Sequence, residues 1–257
     1  MKSTARLTSS GRTVAVSSAT LFYAIIYGIN WVLLAVVNNL ALKTGPLSYT
    51  SVIISLSLVI PTFSGWLFWG ERISALQLIG IIFMIICFVL SNEKSEDDKK
   101  AKKIWYVYVT VAFVSNGFCG IIQKLHQSSS GAEQTTGFVF TALLISIVIS
   151  TPLMLFFKGK ERKNRPSENS EGLKTGSKTK YIVLLLLLTA GVCSGLVNQI
   201  NLYLVGIMDS AVFFPVVNGG NLILTMLLSV TAFKEKPTSK QWLGLAMGMT
   251  AVIMLCV

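Results

Sequence analysis

The stretch Trp69-Gly70-Glu71-Arg72-Ile73-Ser74-Ala75-Leu76-Gln77-Leu78-Ile79-Gly80 returns, altered but ungapped, 164 residues later. The later copy is Phe233-Lys234-Glu235-Lys236-Pro237-Thr238-Ser239-Lys240-Gln241-Trp242-Leu243-Gly244. Glu71, Gln77 and Gly80 fall on Glu235, Gln241 and Gly244, and Arg72 falls on Lys236. In both copies an acidic and a basic residue separate two long hydrophobic runs. A unit of hydrophobic helices joined by the same short charged turn, used twice, is the mark of a membrane protein built by duplication.

The composition agrees. Of 257 residues 53% are hydrophobic, and the 22 Lys/Arg and 11 Asp/Glu are confined to islands between uncharged runs. A bilayer core of about 30 Å needs roughly 20 apolar helical residues. Strands would need a closed barrel with alternating polarity, because lipid satisfies no backbone amide, and no alternation is present. The expected fold is an all-α polytopic transmembrane bundle of about eight helices, at 19–42, 47–69, 74–91, 104–123, 134–157, 181–205, 210–233 and 239–257. The first run is too long for the core of a cleavable signal and lacks a cleavage site. Cys87, Cys119, Cys193 and Cys256 fall inside spans and read as small apolar residues. Neither a metal site nor a cofactor is expected.

The net charge of +11 reads as loop lysines and arginines on one side of a bilayer rather than as a nucleic-acid surface. The loops after spans one, three, five and seven, with Lys240 at the very start of span eight, hold 17 of the 22 basic residues. The positive-inside rule therefore places both termini outside. Along the chain, 1–18 is a polar basic segment and 19–91 a first repeat of three helices. A charged linker follows at 92–103. A second repeat of five helices occupies 104–257, with a basic loop at 158–180. The first span corresponds to the sixth, five helices on. An odd number reverses direction, so the two copies form an inverted-topology repeat.

The segments Gly65–Gly80 and Thr231–Gly244, with Asn39-Leu40-Ala41-Leu42-Lys43-Thr44-Gly45-Pro46, resemble the drug/metabolite transporter superfamily in its EamA-like branch. The resemblance covers nearly the whole chain. It implies ten helices in two sets of five with both termini inside, so this chain starts at the third helix. A fragment, an eight-helix variant and a chain completed by a partner are the three readings of that departure. The implied function is a secondary transporter or facilitator for a small polar, amino-acid-like metabolite, working by alternating access in the cell (plasma) membrane. The alternative is a non-transporting truncated paralogue or a membrane partner subunit. The lipid bilayer and a small-molecule substrate are the expected partners.

Polar side chains at span depth are costly in lipid and mark a pathway. Ser194, Asn198 and Asn201 share one helical face, as do Asn218 and Asn221. Tyr27, Asn30 and Trp31 lie on the first span, and Asn116 and Gln123 on the fourth. The functional reading is a cavity near the midplane lined by these neutral amides, the hydroxyls and the two rings. The other reading is interhelical packing, where such bonds contribute about 0.6–2 kcal/mol each. Pro61 and Pro215 are candidate hinges. Gly191/Gly195 and Gly244/Gly248 are small-xxx-small pairs, read first as packing within one chain and second as a homodimer seam. Lys124 and His126, just past the fourth span, read as a snorkelling lysine and an exposed loop histidine. No carboxylate sits mid-span, which argues against proton exchange for a cation. Nothing resembles a nucleophile–base pair, so no catalysis is assigned.

The inverted repeat makes a direct topological prediction. Single cysteines placed in the Glu71 and Glu235 turns should label from opposite faces of the membrane, and labelling of both from one face would rule the inversion out.

Overall fold

The computed structural model describes residues 16–91, 101–164, 177–232 and 238–256. Among them there are nine helices and no strand: α1 (Ser18–Thr44), α2 (Leu47–Leu56), α3 (Val59–Trp69), α4 (Ala75–Ser91), α5 (Lys103–Gln127), α6 (Thr135–Asn164), α7 (Ser177–Ile207), α8 (Ser210–Ala232) and α9 (Ser239–Cys256). They make eight hydrophobic passes, α2 and α3 together forming the second. Five stretches are long and apolar enough to cross a bilayer outright: Ser18–Thr44, Tyr49–Trp69, Lys103–Gln127, Thr135–Leu155 and Leu188–Ile207. The chain is an all-α polytopic helical bundle. Glu235, Lys236 and Pro237 lie outside the described residues, as do most of the N-terminal segment, most of the charged linker and the centre of the basic loop. The ends of that predicted loop are helical, since α6 runs to Asn164 and α7 begins at Ser177.

The second pass breaks because of Pro61, which has no amide proton for the Ser57 carbonyl four residues back. The chain tightens instead. Ser57 N–H donates to the Ile54 carbonyl at 3.1 Å, Leu58 N–H to Ser55 at 3.5 Å, and Ile60 N–H takes the Ser57 carbonyl at 3.0 Å. Pro215 lies inside α8 and leaves it continuous.

The repeated turn has a local cause. Gly70 ends α3 with φ 65°, a left-handed conformation that favours glycine. Ser74 N–H then donates to Gln77 Oε1 at 3.0 Å while Gln77 N–H donates to Ser74 Oγ at 3.1 Å. In the second copy Thr238 and Gln241 make the same reciprocal pair, at 3.0 and 3.5 Å. Both are capping boxes opening the following helix. The aligned glutamines are thus N-terminal caps of α4 and α9.

Repeat mates meet antiparallel. Near the start of α4, a Cβ on Gly80 would meet Leu255 and the Ala251 carbonyl near the end of α9. Farther along, one on Gly248 would lie 2.7 Å from Cys87 Sγ. The end of α3 likewise meets the start of α8, at Gly65 and Ser210. Helix α1 is gripped by α5 and α6: a Cβ on Gly28 would come within 2.9 Å of the Ala142 carbonyl. Around these seams Met84, Ile122, Phe138 and Leu202 form the buried core.

The mate of α1, helix α7, is the contrast. Leu185, Leu186, Leu188, Val192, Leu196 and Val197 are exposed along it, and Gly191 and Gly195 face open space. These two glycines pack on nothing among the described residues, so the within-chain packing expected of that pair is not what the fold uses them for. Gly244 and Gly248 are buried in α9.

Two expectations at the end of α5 are corrected. The helix continues to Gln127, so Lys124 and His126 are helical and buried rather than in a loop. His126 packs against Phe138 with ring centroids 4.4 Å apart, and its Nε2 lies 3.3 Å from Thr20 Oγ1. Lys124 is held by an acidic partner described below.

These contacts set a test. Gly28→Leu should destabilise the purified protein by about 1–3 kcal/mol through overpacking against backbone, read as a fall in thermal midpoint in detergent. Gly191→Leu, built into open space, should leave the midpoint near that of the unsubstituted chain. Equal falls would mean that α1–α6 contact is not what limits stability.

Candidate functional site

Five elements enclose a polar cavity of about 240 Å³ at the centre of the bundle. Helix α1 contributes Tyr27 and Trp31, and the α2–α3 junction contributes Ser57, Leu58 and Pro61. From α5 come Asn116, Cys119, Gly120 and Gln123, from α7 Asn198 and Asn201, and from α8 Phe213, Phe214, Val217, Asn218 and Asn221. No Asp, Glu, Lys or Arg lines it among the described residues. Gly120 is bare because a Cβ there would press on Phe214 and Pro61 at 2.7 and 2.8 Å.

Parts of the wall are mutually fixed. Tyr27 and Trp31 stack with centroids 5.8 Å apart and planes 17° off parallel. Gln123 Nε2 donates to the Tyr27 hydroxyl at 3.2 Å. Asn116 Nδ2 donates to Ser57 Oγ at 2.6 Å and to the Ile54 carbonyl at 3.3 Å, which serves the backbone at the helix break. Other amides are less engaged. Asn198 and Asn218 each donate one N–H to their own helix, to the Ser194 and Phe214 carbonyls at 2.9 and 2.8 Å. Asn201 and Asn221 make no side-chain hydrogen bond among the described residues. A primary amide offers two donors and two acceptor lone pairs, so these four retain capacity for a ligand or water.

The structure therefore brings together Tyr27, Trp31, Asn116, Gln123, Asn198, Asn201, Asn218, Asn221 and Pro61. It does not bring Asn30 or Ser194 to the cavity, nor Pro215. Asn30 is buried behind the wall, where its Nδ2 donates to the Ser115 carbonyl at 2.8 Å and to Cys119 Sγ at 3.0 Å. Ser194 is exposed on α7, its carbonyl holding Asn198. Sequence reasoning did not single out Cys119 or Ser57 as wall residues. The signal available for Ser57 was its place four residues before Pro61, where a carbonyl loses its usual helical donor beside a small hydroxyl.

Trp31 also borders a wider groove of about 790 Å³ between α1 and α6, which runs past Asn39 to Lys43. Lys43 and Glu71 lie at opposite ends of the second pass, so this groove leads to the membrane face opposite Glu71. The two faces are named here after those residues.

Beyond the cavity, toward the Glu71 face, lies a nearly buried ion pair. Glu71 Oε1 and Lys124 Nζ are 2.8 Å apart, with only 8% and 11% of the two side chains exposed. Glu71 Oε2 accepts from the Ser210 backbone N–H at 2.7 Å, and Oε1 from Ser210 Oγ at 3.2 Å. The carboxylate thus caps α8, where a negative charge is favoured. Lys124 Nζ also donates to the Met208 carbonyl at 2.9 Å, just past the end of α7. Removing one member would strand a nearly buried charge, at about 3–5 kcal/mol. Trp69 Nε1 donates to Ser128 Oγ at 2.9 Å on the same face.

No curated protein matches this chain. Among solved structures, one described only as "Crystal structure of protein" superposes with a TM-score of 0.58 at 13% identity. The likeness covers 95% of this chain and 90% of that one, and at such identity it speaks for the fold alone. The model of the EamA-like transporter family matches residues 103–257, from the start of α5 to the end of the chain. That match spans more than half the sequence, and with its bundle of hydrophobic helices the chain is an integral membrane protein that belongs to the EamA-like transporter family.

Proposed function

We propose that this chain is a secondary transporter or facilitator that carries a small, neutral or zwitterionic polar metabolite of amino-acid type through the cavity. The plasma membrane is the location this reading assigns. One observation carries it: a wall rich in partly unengaged amides, without a charged side chain among the described residues, beside a mainly apolar core. In lipid such groups are expensive unless water or a ligand meets them. The volume of about 240 Å³ lies just under the usual range of small-molecule pockets, about 300–1,000 Å³. That favours a metabolite over a drug-sized cargo. The stacked Tyr27–Trp31 pair offers an apolar wall for a side chain or ring, and the amides of α5, α7 and α8 offer the polar contacts. Crossing would proceed by rocking of one half of the bundle against the other, so that the site faces each side in turn. Antiparallel packing of the repeat mates supports this, because inverted copies can exchange conformations.

A second reading has its own support. The open face of α7 suits a chain that works as one subunit beside a further membrane component.

Uptake of a mixed metabolite pool into liposomes holding the purified protein tests the first reading. Asn198→Ala and Asn221→Ala should each lower flux about tenfold, the equivalent of roughly one to two ligand hydrogen bonds, with membrane abundance near normal. Asn30→Ala, which breaks a buried bond behind the wall, should instead lower abundance and thermal stability. Flux unchanged in both cavity variants, or absent from every preparation, would overturn the transport reading.

A further inference from the structure

The end of the cavity toward the Glu71 face is built from polar contacts, and their placement is systematic. On α5 Gln123 lines the cavity and Lys124 is the next residue. On α8 the order is reversed, with Ser210 at the mouth and Phe213 and Phe214 one turn deeper. Asn201 lines the cavity on α7, and the Met208 carbonyl, just past the end of that helix, accepts a hydrogen bond from the lysine. On α3 Pro61 lines the cavity, and Glu71 follows the helix end. Four of the five elements that wall the cavity therefore meet, from one residue to about three helical turns beyond it, at a single carboxylate–ammonium pair.

Two further details suggest a seam that parts. Gly65 is bare where the carboxylate crosses α3, since a Cβ there would collide with Glu71 Oε2 and lie 2.8 Å from Ser210 Oγ. One residue past the cavity-lining Pro61, Thr62 Oγ1 is buried without a hydrogen-bond partner; the other such atoms among the described residues, His126 Nδ1 and Gln127 Nε2, lie on α5 beyond Lys124. A permanent seam would be expected to fill with apolar groups or complete its bonds, because each unpaired buried group is destabilising. Groups that are dry in one state and wet in another escape that requirement. The pair itself has suitable energetics: burial opposes the attraction between its charges, and water entering the mouth would rehydrate both. Parting it exposes little hydrocarbon.

We infer that Glu71, Lys124 and Ser210 form a latch that shuts the cavity on the Glu71 face, and that its release opens the cavity to that face. This rests on the transport reading and names the contact that moves within it. Gly70, by turning the chain out of α3, aims the carboxylate, and Gly65 gives it room. Thr62, next to the cavity-lining Pro61, is the group that wets when the latch parts. The groove past Trp31 toward Lys43 is the way out in the form described here.

The test follows a thiol already in the cavity wall. In a chain with Cys87, Cys193 and Cys256 replaced by alanine, Cys119 is challenged with a membrane-impermeant maleimide from each face separately. Glu71→Gln should raise its labelling rate from the Glu71 face by about tenfold, the effect of shifting the open population by the same factor. Thr62→Val, which removes an unpaired hydroxyl at nearly constant shape, should act the other way. It should raise the thermal midpoint yet lower labelling from the Glu71 face. A purely structural role for these residues would couple stability and labelling in a different sense, with Thr62→Val leaving labelling alone. Unchanged labelling in folded Glu71→Gln, or unchanged labelling in Thr62→Val, overturns the latch. Labelling that shifts as expected in a protein that moves no metabolite upholds the latch and removes the transport reading. Metabolite flux with no shift in labelling removes the latch alone.

Discussion

Inside a bilayer a peptide group must find its partner within the protein, and this constraint decides where the chain can be irregular. The second pass breaks at Pro61, and the groups affected are not left to lipid. Ser57 and Leu58 adopt shorter-range bonds, and Asn116 reaches across from α5 to Ser57 Oγ and the Ile54 carbonyl. The break therefore lies where protein and a polar cavity surround it. The cavity exists partly because the break does: Ser57, Leu58 and Pro61 all line it. One missing proton on a proline thus links covalent structure, helix geometry and the location of the site.

The rest of the bundle is governed by how closely backbones approach. Hydrophobicity drives helices into lipid but gives little preference for one neighbour over another, so packing and small residues choose the partners. Gly28 lets α1 meet α6, Gly117 receives Ile60, and Gly248 receives Cys87. These contacts hold α1 between α5 and α6 and α4 against α9. The uncovered glycines of α7 show the same rule from the other side: small residues permit approach without supplying a neighbour. Polar bonds then fix what packing leaves adjustable, as Trp105 Nε1 does by donating to Thr50 Oγ1 at 3.0 Å across the α2–α5 seam.

The passes were legible in the sequence because uncharged runs of sufficient length have only one structural solution in lipid. The repeat was legible because a capping box demands Ser or Thr three residues before Gln at both Ser74 and Thr238, and few substitutions preserve it. Much of the cavity wall could be read too, since amides spaced along one helical face must turn together toward a polar place. What could not be read was which asparagine reaches the cavity and which stands behind it. Asn30 and Trp31 are sequence neighbours, yet Asn30 is occupied by Ser115 and Cys119 while Trp31 forms wall. Their difference arises from where α5 lies, and helical periodicity on α1 does not contain that. Lys124 was misread for a related reason: a lysine at a span end resembles a solvated one until its carboxylate arrives from a distant turn.

The distribution of polar satisfaction carries the argument furthest. Behind the wall Asn30 donates twice through its Nδ2, and at the helix break Asn116 does the same. In the cavity itself the amides of α7 and α8 bond, among the described residues, only to their own helices or to nothing, and next to the cavity Thr62 Oγ1 is buried without a partner. A scaffold that only needed to pack would have little reason to leave the cavity amides of α7 and α8 with spare bonding capacity while engaging Asn30 and Asn116 beside them. Such a wall is consistent with a surface whose missing partners arrive as ligand or water. On that account the bonds that look weakest are the ones that leave the bundle free to change shape, and the groups already engaged mark the parts that move as rigid bodies.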